Sequence, residues 1–287
     1  MENTATLSSL SEKFITNRSG VMDKPVRKFF VLTFCLSWIF WLPMIMVGED
    51  HFLLRVAGTY GPLTAAVLLT ANREGLKGLK KLLSSLLLWK TGLIWYVFCF
   101  FSTAVLALIA LGIYSLLDRN KLLFNDPSQL FLSIPIFIYV LIFSVLGEET
   151  GWRGFALPKL QEKYGTLKAS FIIGLIWAFW HSPLFFIEGN FHQEIPLWLF
   201  ILQEIYISIV ISWIYNKTGG SLLLVHIFHA ASNTTLGLLP VLPQETGGDR
   251  LPLYILCGLL TILTYGIVRW GNLEEASFKE KLELSKY

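Results

Sequence analysis

Between Phe29 and Trp270 the chain is a succession of apolar runs, most close to the ~20 residues a helix needs to cross a bilayer, joined by short polar connections. Hydrocarbon offers no water to backbone N–H and C=O groups, so each run must satisfy its own hydrogen bonds by coiling. Eight spans are expected: Phe29–Val47, Phe52–Thr70, Leu93–Leu117, Leu130–Gly147, Ala169–Ile187, Ile195–Tyr215, Ser221–Leu239 and Leu251–Trp270. Of the 287 residues 54% are hydrophobic and only 15% charged, against about 25% charged in soluble domains. The expected fold is an all-α polytopic membrane protein. Residues 29–270 form one integral membrane domain, between a polar tail (1–28) and a charged tail (271–287).

The first run is long and lacks a small-residue cleavage site, so it reads as a span and not as a removable signal peptide. In residues 75–90, Leu76, Leu79, Leu82, Leu83, Leu86 and Leu87 share one helical face, and Lys77, Lys80, Lys81 and Ser84 the other. That is the pattern of a helix lying in the membrane interface. Nearly all the Lys and Arg fall on the side holding both tails, residues 71–92 and residues 148–168; Arg119, Lys121 and Arg250 fall opposite, and Arg55 lies within a span. The bias places both termini in the cytoplasm. Cys35, Cys99 and Cys257 all lie in apolar runs, with no CxxC pair, and read as packing residues without a disulfide framework.

Ionisable groups within a bilayer are costly and mark function. The candidates are Glu148, Glu149, Arg153, His181, Glu204, His226 and His229, with the polar Asn233. Glu149 and Arg153 are four apart and stack on a helix, so they can pair. Glu148 points about 100° away and is left as a free carboxylate, suited to activating water as a general base. The plainer reading is that both acids cap the cytoplasmic end of their span. His181 follows Trp177 by one turn, and Pro183 is expected to kink that span. His229 and Asn233 share a face in the seventh span and could donate to a developing oxyanion; interhelical hydrogen bonding is the alternative. His181 and His229 are expected at moderate depth on the cytoplasmic half. No HExxH occurs, yet two histidines and a carboxylate (Glu148, His181, His229) could still hold a divalent metal such as zinc.

Three stretches carry a more specific signal: EETGWRGFALPKLQ, GLIWAFWHSPLFF and SLLLVHIFHAASN. They resemble the motifs of the CAAX-protease and bacteriocin-processing family, which includes type II CAAX prenyl endopeptidases and bacterial immunity-type homologues. The motifs are Glu148-Glu149-x-x-x-Arg153, Trp177-x-x-x-His181 and His229-x-x-x-Asn233, in the family's order, between about Ser144 and Leu239. The resemblance implies a peptidase core near residues 130–240. It implies that Glu148 and His181 activate the attacking water, that His229 and Asn233 stabilise the oxyanion, and that Glu149, Arg153 and Trp177 support them. The family is often labelled a metalloprotease group, but a glutamate-dependent mechanism has also been argued for it. Without zinc spacing here, no tightly bound cofactor is expected.

The expected function is an intramembrane endopeptidase, a hydrolase, of the bacterial plasma membrane, acting on a membrane-associated peptide or protein. Lipids are the other partners and nucleic acid is not one. Competing readings are a non-catalytic binding or bacteriocin-immunity protein with the same fold, and a transporter drawing on Glu204 and Arg55. His226 falls at a position that is usually apolar in the family and is taken as auxiliary.

Overall fold

The computed structural model describes residues 22–117 and 131–273. Among these residues the chain is helical, without strands, and eight helical segments are long and apolar enough to cross a membrane. The helices are α1 (Lys24–Val47), α2 (Phe52–Thr59), α3 (Gly61–Ser84), α4 (Leu93–Leu117), α5 (Ser133–Val140), α6 (Leu146–Gly151), α7 (Leu157–Tyr164), α8 (Thr166–Trp180), α9 (Leu197–Lys217), α10 (Leu222–Leu238) and α11 (Leu251–Trp270). Most of the expected polar tails and the loop with Asp118, Arg119, Lys121 and Asp126 fall outside the described residues, as does the start of the fourth span at Leu130.

The expected spans hold with two corrections of boundary. Helix α3 is two helices meeting at a kink at Gly75 (φ 61°, ψ −155°): the first runs about one turn past Thr70, and the amphipathic stretch begins at the kink, where it is expected. Only glycine takes that backbone conformation without strain, so the span redirects there without a loop. The larger correction concerns the fourth span. It does not end at Gly147 but runs from Ser133 to Tyr164 as one helical rod of 32 residues. Glu148 and Glu149 therefore lie midway along this helical rod and not at its end. The sequence reading ends the span where charges begin; the helix continues because those charges find partners inside the protein.

This rod is not regular. Leu141–Val145 and Trp152–Ala156 are π-helical turns flanking α6. Such turns release carbonyls from ordinary helical bonding, and in a membrane these need other donors. The Thr59 hydroxyl donates to the Phe143 carbonyl at 3.2 Å and the Tyr60 hydroxyl to that of Ile142. Close packing of α6 on the α2–α3 junction makes this possible. A Cβ on Gly147 would lie 2.5 Å from the Thr59 carbonyl oxygen, and one on Gly151 would lie 2.5 Å from that of Pro62. Small residues four apart let two membrane helices approach at backbone distance.

The segment containing α10 is 72% buried, against 22% for α4. It forms the centre of the bundle, with α4, α5, α6 and α9 packed around it. Leucine, isoleucine and phenylalanine side chains on the outer helices remain exposed, as lipid-facing surfaces require. Cys99 and Cys257 are buried free thiols, whereas Cys35 is exposed. The α-helix of the fifth span ends at Trp180 and continues as a 3-10 turn over Ser182–Phe186, which is the irregularity expected at Pro183.

Gly151→Ala should lower stability by about 1–3 kcal/mol, the usual cost of overpacking, because its methyl group meets backbone. Gly112→Ala, which meets nothing within 4 Å, should be neutral. Thermal unfolding of both variants in detergent checks the contrast.

Candidate active site

The two π-helical turns change how the rod's polar side chains are distributed. Glu148, Glu149 and Arg153 are all buried. Arg153 donates from one Nη to Glu149 Oε1 at 2.9 Å, the i,i+4 pair expected from spacing. The same oxygen accepts from His229 Nδ1 at 2.8 Å. Glu149 thus joins the rod to α10 and fixes the orientation of the His229 ring. The other nitrogen of His229, Nε2, meets the Asn233 amide at 3.2 Å.

Glu148 differs from its expected role as an unpartnered carboxylate. One oxygen accepts from Ser144 Oγ at 3.1 Å and the other from Trp177 Nε1 at 2.7 Å. Both donors are neutral, so no formal positive charge is paired directly with it, in contrast to Glu149. Ser144 lies one turn earlier on the rod and has no role in the sequence reading. The serine–glutamate spacing of four, at a place where an apolar run turns polar, was the available signal.

Trp177 holds more of the site than its motif position implies. Its indole N–H binds Glu148, and its carbonyl accepts from His181 Nδ1 at 2.9 Å. The Arg153 guanidinium lies over its ring, 4.6 Å from the centroid. The His229 ring meets it edge-on at 5.2 Å. One side chain therefore touches three of the motif residues, and its backbone sets the tautomer of a fourth: His181 carries its proton on Nδ1, leaving Nε2 as an acceptor.

His181 directly follows the last residue of α8. It caps the C-terminal end of α8, at the opposite end of that helix from the lysine-rich connection. There its ring stacks at 5.5 Å on His192, which belongs to the short connection before α9. His192 is absent from the sequence reading, which weighs only polar residues within apolar runs; a histidine eleven residues after His181, in a short interspan connection, was the signal missed. His226 packs as a structural residue: Nδ1 donates to the Leu222 carbonyl and Nε2 meets the Thr150 hydroxyl at 3.3 Å. Glu204 enters the electrostatic neighbourhood of Arg153, Glu148 and Glu149 from α9, and its Oε2 is buried without a partner among the described residues. Arg55 pairs with Asp50 at 3.0 Å and takes no part in the centre.

Among the described residues no group of three His, Cys, Asp or Glu side chains is arranged to hold a metal ion. Of the three conceivable ligands, Glu148 and His229 already direct their polar atoms to protein partners. The donors as arranged do not fit a metal, and no step below is routed through one.

The fold and site define a class: a polytopic helical membrane protein with carboxylate, imidazole and amide groups gathered between its spans. Comparison with known proteins takes this further. A family profile described as "Type II CAAX prenyl endopeptidase Rce1-like" matches residues 130–235. "CAAX prenyl protease 2" of Methanococcus maripaludis is 28% identical over 233 residues, covering 76% of this chain and 86% of that protein. The chain is similar to CAAX proteases over the stretch that holds its three motifs, and this likeness supports a membrane protease.

Arg153→Met should destabilise the protein by about 3–5 kcal/mol, because it leaves the Glu149 charge buried without its partner. Adding Glu149→Gln to it should recover much of the loss. Comparing thermal midpoints of the single and double variants in detergent measures the coupling.

Proposed function

We propose that the chain is an intramembrane endopeptidase that hydrolyses an amide bond of a membrane-associated peptide or protein, with Glu148 as the general base. The carrying observation is the contrast between the two adjacent acids. Glu149 is committed to Arg153 and His229, whereas Glu148 is held only by the neutral donors Ser144 and Trp177. A carboxylate oriented by hydrogen bonds but not paired directly with a cation can take a proton and return it.

In this mechanism Glu148 takes one proton from water while His181 Nε2 accepts the other hydrogen. The resulting hydroxide adds to the scissile carbonyl. The negative charge that develops on its oxygen is met by the Asn233 amide and by His229. For His229 to donate there, its Nε2 must carry a proton and turn from its contact with the Asn233 amide to the new oxyanion. Glu148 then delivers its proton to the leaving nitrogen as the C–N bond breaks, which regenerates the carboxylate. Arg153 pairs with Glu149 and lies over Trp177, so the supporting residues act by orienting the reacting ones.

The protein is placed by this reading in the plasma membrane, with both termini in the cytoplasm, because the Lys- and Arg-rich connections lie on the side of the termini. The prenylated CAAX terminus named for the relative is the first substrate to test, and a peptide leader the next. The hydrolysis is proposed to need no tightly bound metal.

Glu148→Gln and His181→Phe should each lower turnover by about 10²–10⁴-fold, and Asn233→Ala by about 10²–10³-fold, with thermal midpoints near wild type. Comparing new protein N-termini in membranes expressing wild type or Glu148→Gln identifies the substrate and tests proteolysis together. Termini that persist in a folded Glu148→Gln protein would sink the mechanism.

Activity should also survive exhaustive dialysis against a strong chelator. A loss that zinc alone restores would overturn the metal-independent mechanism.

A further inference from the structure

His192 has the local geometry of a working imidazole. Its Nδ1–H donates to Asn190 Oδ1 at 2.6 Å, which fixes the tautomer and leaves Nε2 as an acceptor. The Asn190 amide in turn donates to Asp50 Oδ2 at 3.2 Å, and Arg55 Nε donates to Asp50 Oδ1 at 3.0 Å. Two connections more than a hundred residues apart in sequence thus clasp together and hold His192 against His181. Phe185, Phe191 and Phe200 surround its ring.

The histidines within the bundle fall into two groups. His226 and His229 use both ring nitrogens on protein partners. His181 and His192 each tie Nδ1 to a protein oxygen, and neither Nε2 has a hydrogen-bond partner among the described residues. Neither Nε2 is among the fully occluded unpartnered atoms. The rings lie 27° from parallel with centroids 5.5 Å apart. Burial, followed by the nearby His181 and Arg55, holds the His192 imidazole well below its usual range and therefore neutral near pH 7. A neutral imidazole with a free Nε2 accepts a hydrogen bond and does not donate one there.

We propose that His192 is a further catalytic residue, which with His181 seats the attacking water between the two Nε2 atoms. The inference rests on the endopeptidase reading above and adds a residue that its three motifs do not contain. With both hydrogens held by the two acceptors, the water's lone pairs point away from the histidines toward the scissile carbonyl. As the oxygen adds to carbon, the hydrogen bonded to His192 turns to Glu148, which takes it as a proton and later passes it to the leaving nitrogen. The water's other hydrogen stays on oxygen, held by His181. Atoms and charge balance without a co-reactant.

The test uses the full chain in liposomes, with an internally quenched peptide ending in a farnesylated CAAX sequence. His192→Phe preserves the aromatic packing and removes the acceptor. It should lower kcat by about a hundredfold with KM within about twofold and an unchanged thermal midpoint. His192→Gln restores an acceptor oxygen and should regain at least about tenfold of that loss. A His192→Phe protein with near wild-type kcat, or a loss that His192→Gln does not relieve, overturns the proposal. A second measurement does not depend on turnover: water-to-nitrogen magnetisation transfer in histidine-labelled protein by solid-state NMR. Both Nε2 signals should receive it, and His192→Phe should weaken transfer to His181; no transfer to the His192 Nε2 would overturn the shared water. If the wild type leaves the peptide intact, prenylated CAAX cleavage fails as a reading, while the NMR result still decides the water seat.

Discussion

A fully buried guanidinium is the constraint around which this bundle is arranged. Arg153 is shut away from solvent between spans, where an ion without a partner costs several kcal/mol. Its compensation is distributed: one Nη on Glu149, and the face of the guanidinium over Trp177. Glu149 can serve Arg153 and His229 together because the rod carries it to the middle of the bundle, next to α10. The irregular backbone of that rod follows from the same requirement. Its first π-helical turn takes donors from the α2–α3 junction, and the junction can approach only because Gly147 and Gly151 have no side chains.

From that ion pair a division of labour between two adjacent acids follows. Charge-paired Glu149 holds the geometry, and Glu148, one residue earlier, is held by neutral donors. Neighbouring residues of one helix point about 100° apart, so one carboxylate can be spent on structure while the other faces Trp177 and Ser144. Trp177 gives this arrangement its rigidity. An indole is large, flat and carries a single donor, so it can fill the space between Arg153 and His229 and still orient Glu148.

Much of the site was legible as residue types at helical spacing. The Glu149–Arg153 pair was readable because an i,i+4 interval fixes proximity whatever surrounds it. His229 and Asn233 were readable for the same reason, and the contact between them is present. Ser144 on Glu148, Glu149 on His229, and the stacking of His192 on His181 were not. The last two join residues on different elements, and intervals along the chain carry no distance between helices. The fourth helical segment runs past its expected end for a related reason. Hydropathy treats each charge as exposed to lipid, but Glu148, Glu149 and Arg153 face protein, and a buried, partnered charge no longer ends a span.

The sequence alone determined that this chain is a helical membrane protein of eight spans, with a set of ionisable residues whose three motifs resemble those of CAAX proteases. The spans follow from composition and run length and the candidate pairs from helical spacing, all of which are local; the likeness to CAAX proteases rests on the three motifs themselves. Only the tertiary structure decided which carboxylate is committed to an ion pair, which histidine nitrogens remain unpartnered, and at which end of α8 His181 meets His192. Each of these depends on how helices distant in sequence pack side by side, through glycine contacts and irregular turns that no local pattern encodes.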